Sequence, residues 1–110
     1  MATSYKVLGQ LLCTYNTEHL VYTVPASTQT IVSTVVVANQ TSLPGAFTLS
    51  VRPSADSTTA TKHHIFYNTE IPANSSFAAT IGATLSAGDK IYLRSLTEKS
   101  SVSIFGSEIV

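Results

Sequence analysis

One cysteine, no tryptophan, five glycines, and only six basic and six acidic residues in 110 leave out most of what small functional domains are built on. With Cys13 alone, neither an intramolecular disulfide nor a thiolate metal site can form. The basic residues are matched by acidic ones and spread along the chain, so a phosphate backbone would find no electrostatic footprint. Gly9, Gly45, Gly82, Gly88 and Gly106 are dispersed, and no phosphate-cradling loop is spelled out. The longest unbroken apolar run, Val35-Val36-Val37-Ala38, falls far short of the roughly 20 residues that span a bilayer. No apolar targeting segment follows Lys6. A coiled coil, a zinc finger, a basic nucleic-acid module and a disulfide-stapled toxin are all excluded. The expectation is a single domain made in a cytoplasm, soluble, and binding neither nucleic acid nor membrane.

What is abundant is β-branched: Val, Ile and Thr make up 33 of the 110 residues. Such side chains are stiff at χ1 and pack well on a pleated surface. Good surface-helix formers are scarce, so no window offers a helix its polar face. Alternation and punctuation give eight candidate strands: Tyr5–Leu12, Glu18–Val24, Thr30–Ala38, Phe47–Arg52, Lys62–Ile71, Phe77–Ile81, Lys90–Ser95 and Ser101–Ile109. All four prolines fall between them, where a missing N–H costs no ladder bond. Eight short strands at such spacing predict an all-β, mostly antiparallel β-sandwich. The topology is either immunoglobulin-like or a jelly roll, and residues 1–17 are either a paired strand or an extended N-terminal arm.

Period-2 alternation assigns faces, and some faces look wrong for an isolated subunit. In the third strand Ile31, Val35 and Val37 line one side while Val32, Val36 and Ala38 line the other. Either the chain's own N-terminal segment or a loop covers the second side, or another subunit does. If Ile65, Tyr67 and Ile71 point inward, Phe66 points out; if Ile91 and Leu93 do, Tyr92 points out. Phe105 likewise stands out in a Ser-rich row. Aromatic groups among small polar residues are typical of interface cores. The candidate interface residues are therefore Val32, Val36, Phe66, Tyr92 and Phe105.

Candidate chemistry is thin. His63 and His64 are consecutive on a strand, so their rings point to opposite faces and cannot chelate one ion. No Ser sits in a G-x-S-x-G elbow, and nothing sets Glu18, Glu70, Glu98 and Glu108 in opposed pairs. Asp89, after Gly88, is expected to satisfy local backbone N–H groups. Cys13 reads as a packed thiol. Tyr15, Tyr22, Tyr67 and Tyr92 offer stacking platforms for a glycan. No enzyme, cofactor or metal is expected.

Several stretches, taken in order, resemble a known group. They are Tyr5-Lys6-Val7-Leu8-Gly9-Gln10, Val21-Tyr22-Thr23-Val24-Pro25-Ala26-Ser27-Thr28-Gln29-Thr30, Val51-Arg52-Pro53, Ile71-Pro72-Ala73-Asn74, Gly88-Asp89 and Phe105-Gly106-Ser107-Glu108-Ile109. The chain resembles short virion structural proteins of tailed bacteriophages, especially phages of cyanobacteria and other aquatic bacteria. Ser54-Ala55-Asp56-Ser57 departs from the Ala-Gly turn such proteins often carry after the Pro53 position. The resemblance implies a non-enzymatic part of the virus particle. Foremost is a capsid decoration or cement protein, a homo-oligomer such as a trimer, seated on the major capsid protein. The alternative is a tail or baseplate protein with a host-glycan-binding role.

Overall fold

The computed structural model describes residues 2–110. It contains eight strands: β1 (Thr3–Cys13), β2 (Glu18–Thr23), β3 (Gln29–Asn39), β4 (Gly45–Arg52), β5 (His64–Ile71), β6 (Ser76–Leu85), β7 (Lys90–Ser95) and β8 (Ser100–Ile109). A single 3-10 turn, Thr61–His63, takes the start of the expected fifth strand. The prolines all lie outside the strands, as their missing donors require.

The strands form two four-stranded sheets, ordered β1-β8-β3-β6 and β2-β7-β4-β5. Every neighbouring pair is antiparallel. The chain crosses between sheets at every connection except β4–β5, which stays within the second sheet. That order is a jelly roll, which settles the topology left open by the sequence. Within residues 1–17, residues 3–13 form a paired strand: β1 runs along β8 from Thr3↔Ile109 to Cys13↔Ser100, and Cys13 is buried in the core.

The core lies between the sheets. Val32, Val35, Val37, Val102 and Ile104 of the first sheet face Phe47, Leu49, Ile91 and Leu93 of the second, all at most 1% exposed. Full burial of each such side chain contributes roughly 1.5–3 kcal/mol, and together they fix which face of each strand turns inward.

Bulges then reset the alternation. In the first sheet the register shifts at Leu8 in β1, opposite Ile104–Phe105 of β8, and at Ser33 in β3, opposite Phe105–Gly106 of β8 and Ile81–Gly82 of β6. An extra residue flips the side chains beyond it to the other face. Ser33 therefore puts Val32, Val35 and Val37 inward together and sends Ile31 out. In the second sheet Val21 is the extra residue of β2, so Leu20 turns outward while Tyr22 stays buried. In β5, Ile65 and the Tyr67–Asn68 pair carry shifts, with Asn68 left-handed at φ 47°.

Candidate functional site

The two outer faces differ in chemistry. On the first sheet, Tyr5 and Val7 of β1, Ile31 of β3 and Phe105 of β8 surround a shallow depression of about 470 Å³. Tyr5 is 85% exposed, Val7 46% and Ile31 38%. Val7 pairs directly with Phe105, and Tyr5 with Ser107. The Ser33 hydroxyl donates to the Phe105 carbonyl at 3.1 Å, which fastens the bulge beneath this face. Farther along, half-buried Val36 sits between Ser103 and Ala78.

The outer face of the second sheet is polar and aromatic. The Arg52 guanidinium stacks over the Tyr92 ring, 4.2 Å from its centroid, and also donates to the Tyr92 hydroxyl. Its Nε is buried without a partner. Ser50 Oγ and His64 Nδ1 lie 2.7 Å apart, and the His64 ring stacks on Tyr67 at 5.4 Å. Tyr67, 67% exposed, borders a hollow of about 260 Å³ with His64, Asn68, Thr48, Asn16 and Arg94. Arg94 donates to the Asn16 carbonyl and side-chain oxygen at 3.3 and 3.4 Å. An aromatic face flanked by amide and guanidinium groups can stack against the apolar face of a sugar ring while its hydroxyls reach the flanking polar groups.

Of the five expected interface residues, Val36, Tyr92 and Phe105 stand on outer faces. Val32 and Phe66 do not. Val32 is fully buried because of the Ser33 bulge. Phe66 turns inward because the left-handed Asn68 shifts β5 by one residue, and it packs against Phe47 and Phe77 with centroids 6.0 and 5.2 Å away. Conversely, Ile65 and Tyr67, expected inside, are exposed.

At one end of the sandwich, four residues far apart in sequence close the gap between the sheets. The Tyr22 hydroxyl donates to Glu108 Oε2 at 2.5 Å and lies 2.8 Å from Thr30 Oγ1. Lys6 Nζ is 2.6 Å from Glu108 Oε1. Lys6 first, then Tyr22, holds the Glu108 carboxyl below its ordinary range despite its burial. Burial and Glu108 push the Tyr22 phenol up to about 12, so it remains a donor. No local pattern in the sequence points to this network, since Tyr22 and Glu108 meet only through the fold.

The two adjacent histidines do separate. His63 is buried; the Ala60 N–H donates to its Nδ1 at 2.9 Å, which leaves Nε2–H to donate to Asp56 at 2.8 Å. That bond is the main reason the Asp56 carboxyl lies below its ordinary range. Asp89 accepts from the backbone N–H of Ser54 and Ser86, both at 2.9 Å, as its turn position suggested. Desolvation pushes the buried Cys13 thiol up to about 11, which suppresses the reactive thiolate. Among the described residues, no three His, Cys, Asp or Glu side chains converge as a metal site would need. No helix among them is long and apolar enough to cross a membrane.

No protein-family model matches the chain, and no curated protein does. Among solved structures, it is similar in fold to a chain in the structure of infectious bursal disease virus, Gt strain. The TM-score is 0.53 at 9% sequence identity, over 96% of this chain and 31% of that one. This chain thus spans about a third of that neighbour's length, and the likeness is one of fold: an eight-stranded jelly roll.

Proposed function

We propose that the chain is a virion structural protein acting by contact and not by turnover, and that its leading role is capsid decoration in a tailed bacteriophage. The observation that carries this is the outer face of the first sheet. Tyr5, Val7 and Ile31 stand exposed around Phe105 on a rigid, hydrogen-bonded floor. Exposed apolar groups gathered in one place mark a surface meant to be covered. The sequence resemblance to phage virion proteins and the fold shared with a chain from a virus particle support the same reading. On a particle, many modest contacts add up through multiplicity. The protein would then sit on the major capsid protein lattice, self-associate there, and stabilise the head.

Quantitative mass spectrometry of purified particles tests this. Hundreds of copies per particle are expected for a decoration protein. Absence from mature particles overturns the reading. A dozen copies or fewer would place the chain on the tail instead.

The hollow beside Tyr67 favours a second reading, a tail or baseplate protein that meets host glycan. A titration with host surface polysaccharide should then saturate, and Tyr67→Ala should abolish the binding. No saturable binding retires that alternative.

A further inference from the structure

Each sheet has two edges, and an edge strand presents unpaired N–H and C=O groups that proteins ordinarily guard with charge, proline, bulges or brevity. Three of the four edges here carry charged or titratable side chains: Lys6 on β1, Glu18 and His19 on β2, His64 and Glu70 on β5. The fourth, β6, runs ten residues, Ser-Phe-Ala-Ala-Thr-Ile-Gly-Ala-Thr-Leu, with no charge and no proline. Its outward side chains, Ser76, Ala78, Thr80 and Thr84, are all small. Its only irregularity is the bulge at Ile81–Gly82, which leaves Ser76–Thr80 straight.

The two sides of the sandwich also differ. At the β1/β2 side the backbones touch: a Cβ on Gly9 would lie 2.5 Å from the Val21 carbonyl oxygen. At the β5/β6 side the contact between the sheets includes Phe66 and Phe77 meeting edge to face at 5.2 Å. The inward residues of β6, Phe77, Ala79, Ile81 and Ala83, are only half-buried, whereas Val35, Val37, Val102 and Ile104 on the neighbouring strands are closed off completely. The core is therefore only partly closed along β6, as it is at Leu8 and Leu11 of β1, the opposite edge of the same sheet.

We propose that β6 pairs antiparallel with β6 of a second copy across a two-fold axis, joining the two first sheets into one of eight strands and covering Phe66 and Phe77. The strand is self-complementary, as an isologous contact requires. Pairing centred on Ala79 sets Phe77 opposite Ile81 of the second copy on the inner face. It sets Ala78 opposite Thr80 on the outer face, with no bulky or charged group in the way. Apolar pairs at directly opposed positions are the ones that stabilise antiparallel ladders. The contact is two-fold by construction, unlike the trimer implied by the sequence resemblance. It gives the self-association in the proposed function a place on the molecule and rests on that reading only for the copies meeting on a particle.

Sedimentation velocity on the free, full chain over a wide concentration range tests it. The unmodified protein is expected to dimerise, and Thr80→Lys and Ala78→Lys to be monomeric with an unchanged circular-dichroism spectrum. Tyr5→Lys, on the outer face of the same sheet, should remain a dimer. Hydrogen exchange on the unmodified chain adds a readout free of folding effects: β6 amides should gain protection as concentration rises. A monomer at every concentration overturns the proposal, as does a dimer that survives Thr80→Lys or is lost through Tyr5→Lys. Such a failure leaves the particle copy number, and with it the virion reading, to stand or fall separately.

Discussion

Glu108 shows how a single carboxylate can be buried without losing its charge. One oxygen takes the Lys6 ammonium and the other the Tyr22 phenol, whose own oxygen lies beside Thr30. Tyr22→Phe removes a donor to a charged acceptor in the interior, for an expected loss of about 1–3 kcal/mol in denaturant unfolding. The pH dependence has a definite sign. The folded carboxyl titrates below its ordinary range, so at mildly acidic pH the unfolded chain binds more protons than the folded one. Glu108 thus contributes stability in full above the ordinary carboxylate range, and that contribution is lost as pH falls through the depressed folded value. Glu108→Gln should lower stability near neutrality and flatten the acid limb of an unfolding-midpoint series. Asp56 has the same sign through its bond from His63, so Asp56→Asn should flatten a further part of that limb.

Elements were legible in the sequence where composition decides them and illegible where one residue is added. β-branched content, the position of the prolines and the Asp89 turn all report local chemistry, and the strands fall within a few residues of their expected limits. A bulge carries no such local signature. Ser33 looks like one more strand residue, and Asn68 like a polar residue on an exposed face. Yet the first moves Val32 into the core, and the second turns Phe66 inward and Tyr67 out. Tyr92 and Phe105, on strands where alternation runs unbroken around them, took the outward direction expected. Gly106 marks the bulge row from the other side: a Cβ there would lie 2.1 Å from the Ile31 carbonyl oxygen and 3.0 Å from Leu8 Cδ1. Gly106→Ala must push the β3 backbone aside, with an expected cost of about 2 kcal/mol from overpacking, measurable as a drop in thermal midpoint.

At the scale of the whole molecule, the absence of net charge has a consequence for assembly. Six basic residues balance six acidic ones, and the face proposed for contact is built from Tyr5, Val7, Ile31 and Phe105, with one cation, Lys6, already paired with Glu108. Attachment through such a surface owes little to long-range attraction. If the chain is a particle protein as proposed, its retention on purified particles should change little as salt is raised, and release under high salt alone would point to a different, charged surface. That surface was only half visible beforehand. Phe105 announces itself as an aromatic in a serine row, but Tyr5, Val7 and Ile31 join it only when three strands distant in sequence lie side by side.

The pairing of Thr3 with Ile109 also bears on how the polypeptide reaches its native form. Among the described residues β1 has no ladder partner other than β8, so its hydrogen bonds must wait until β8 has left the ribosome. Closing a loop of that length precedes any reward from the contact, which places the chain among slow, high-contact-order folders. A uniformly β-rich nascent chain is then exposed until β8 has been made, and the yield of native protein is set by how well that interval is survived.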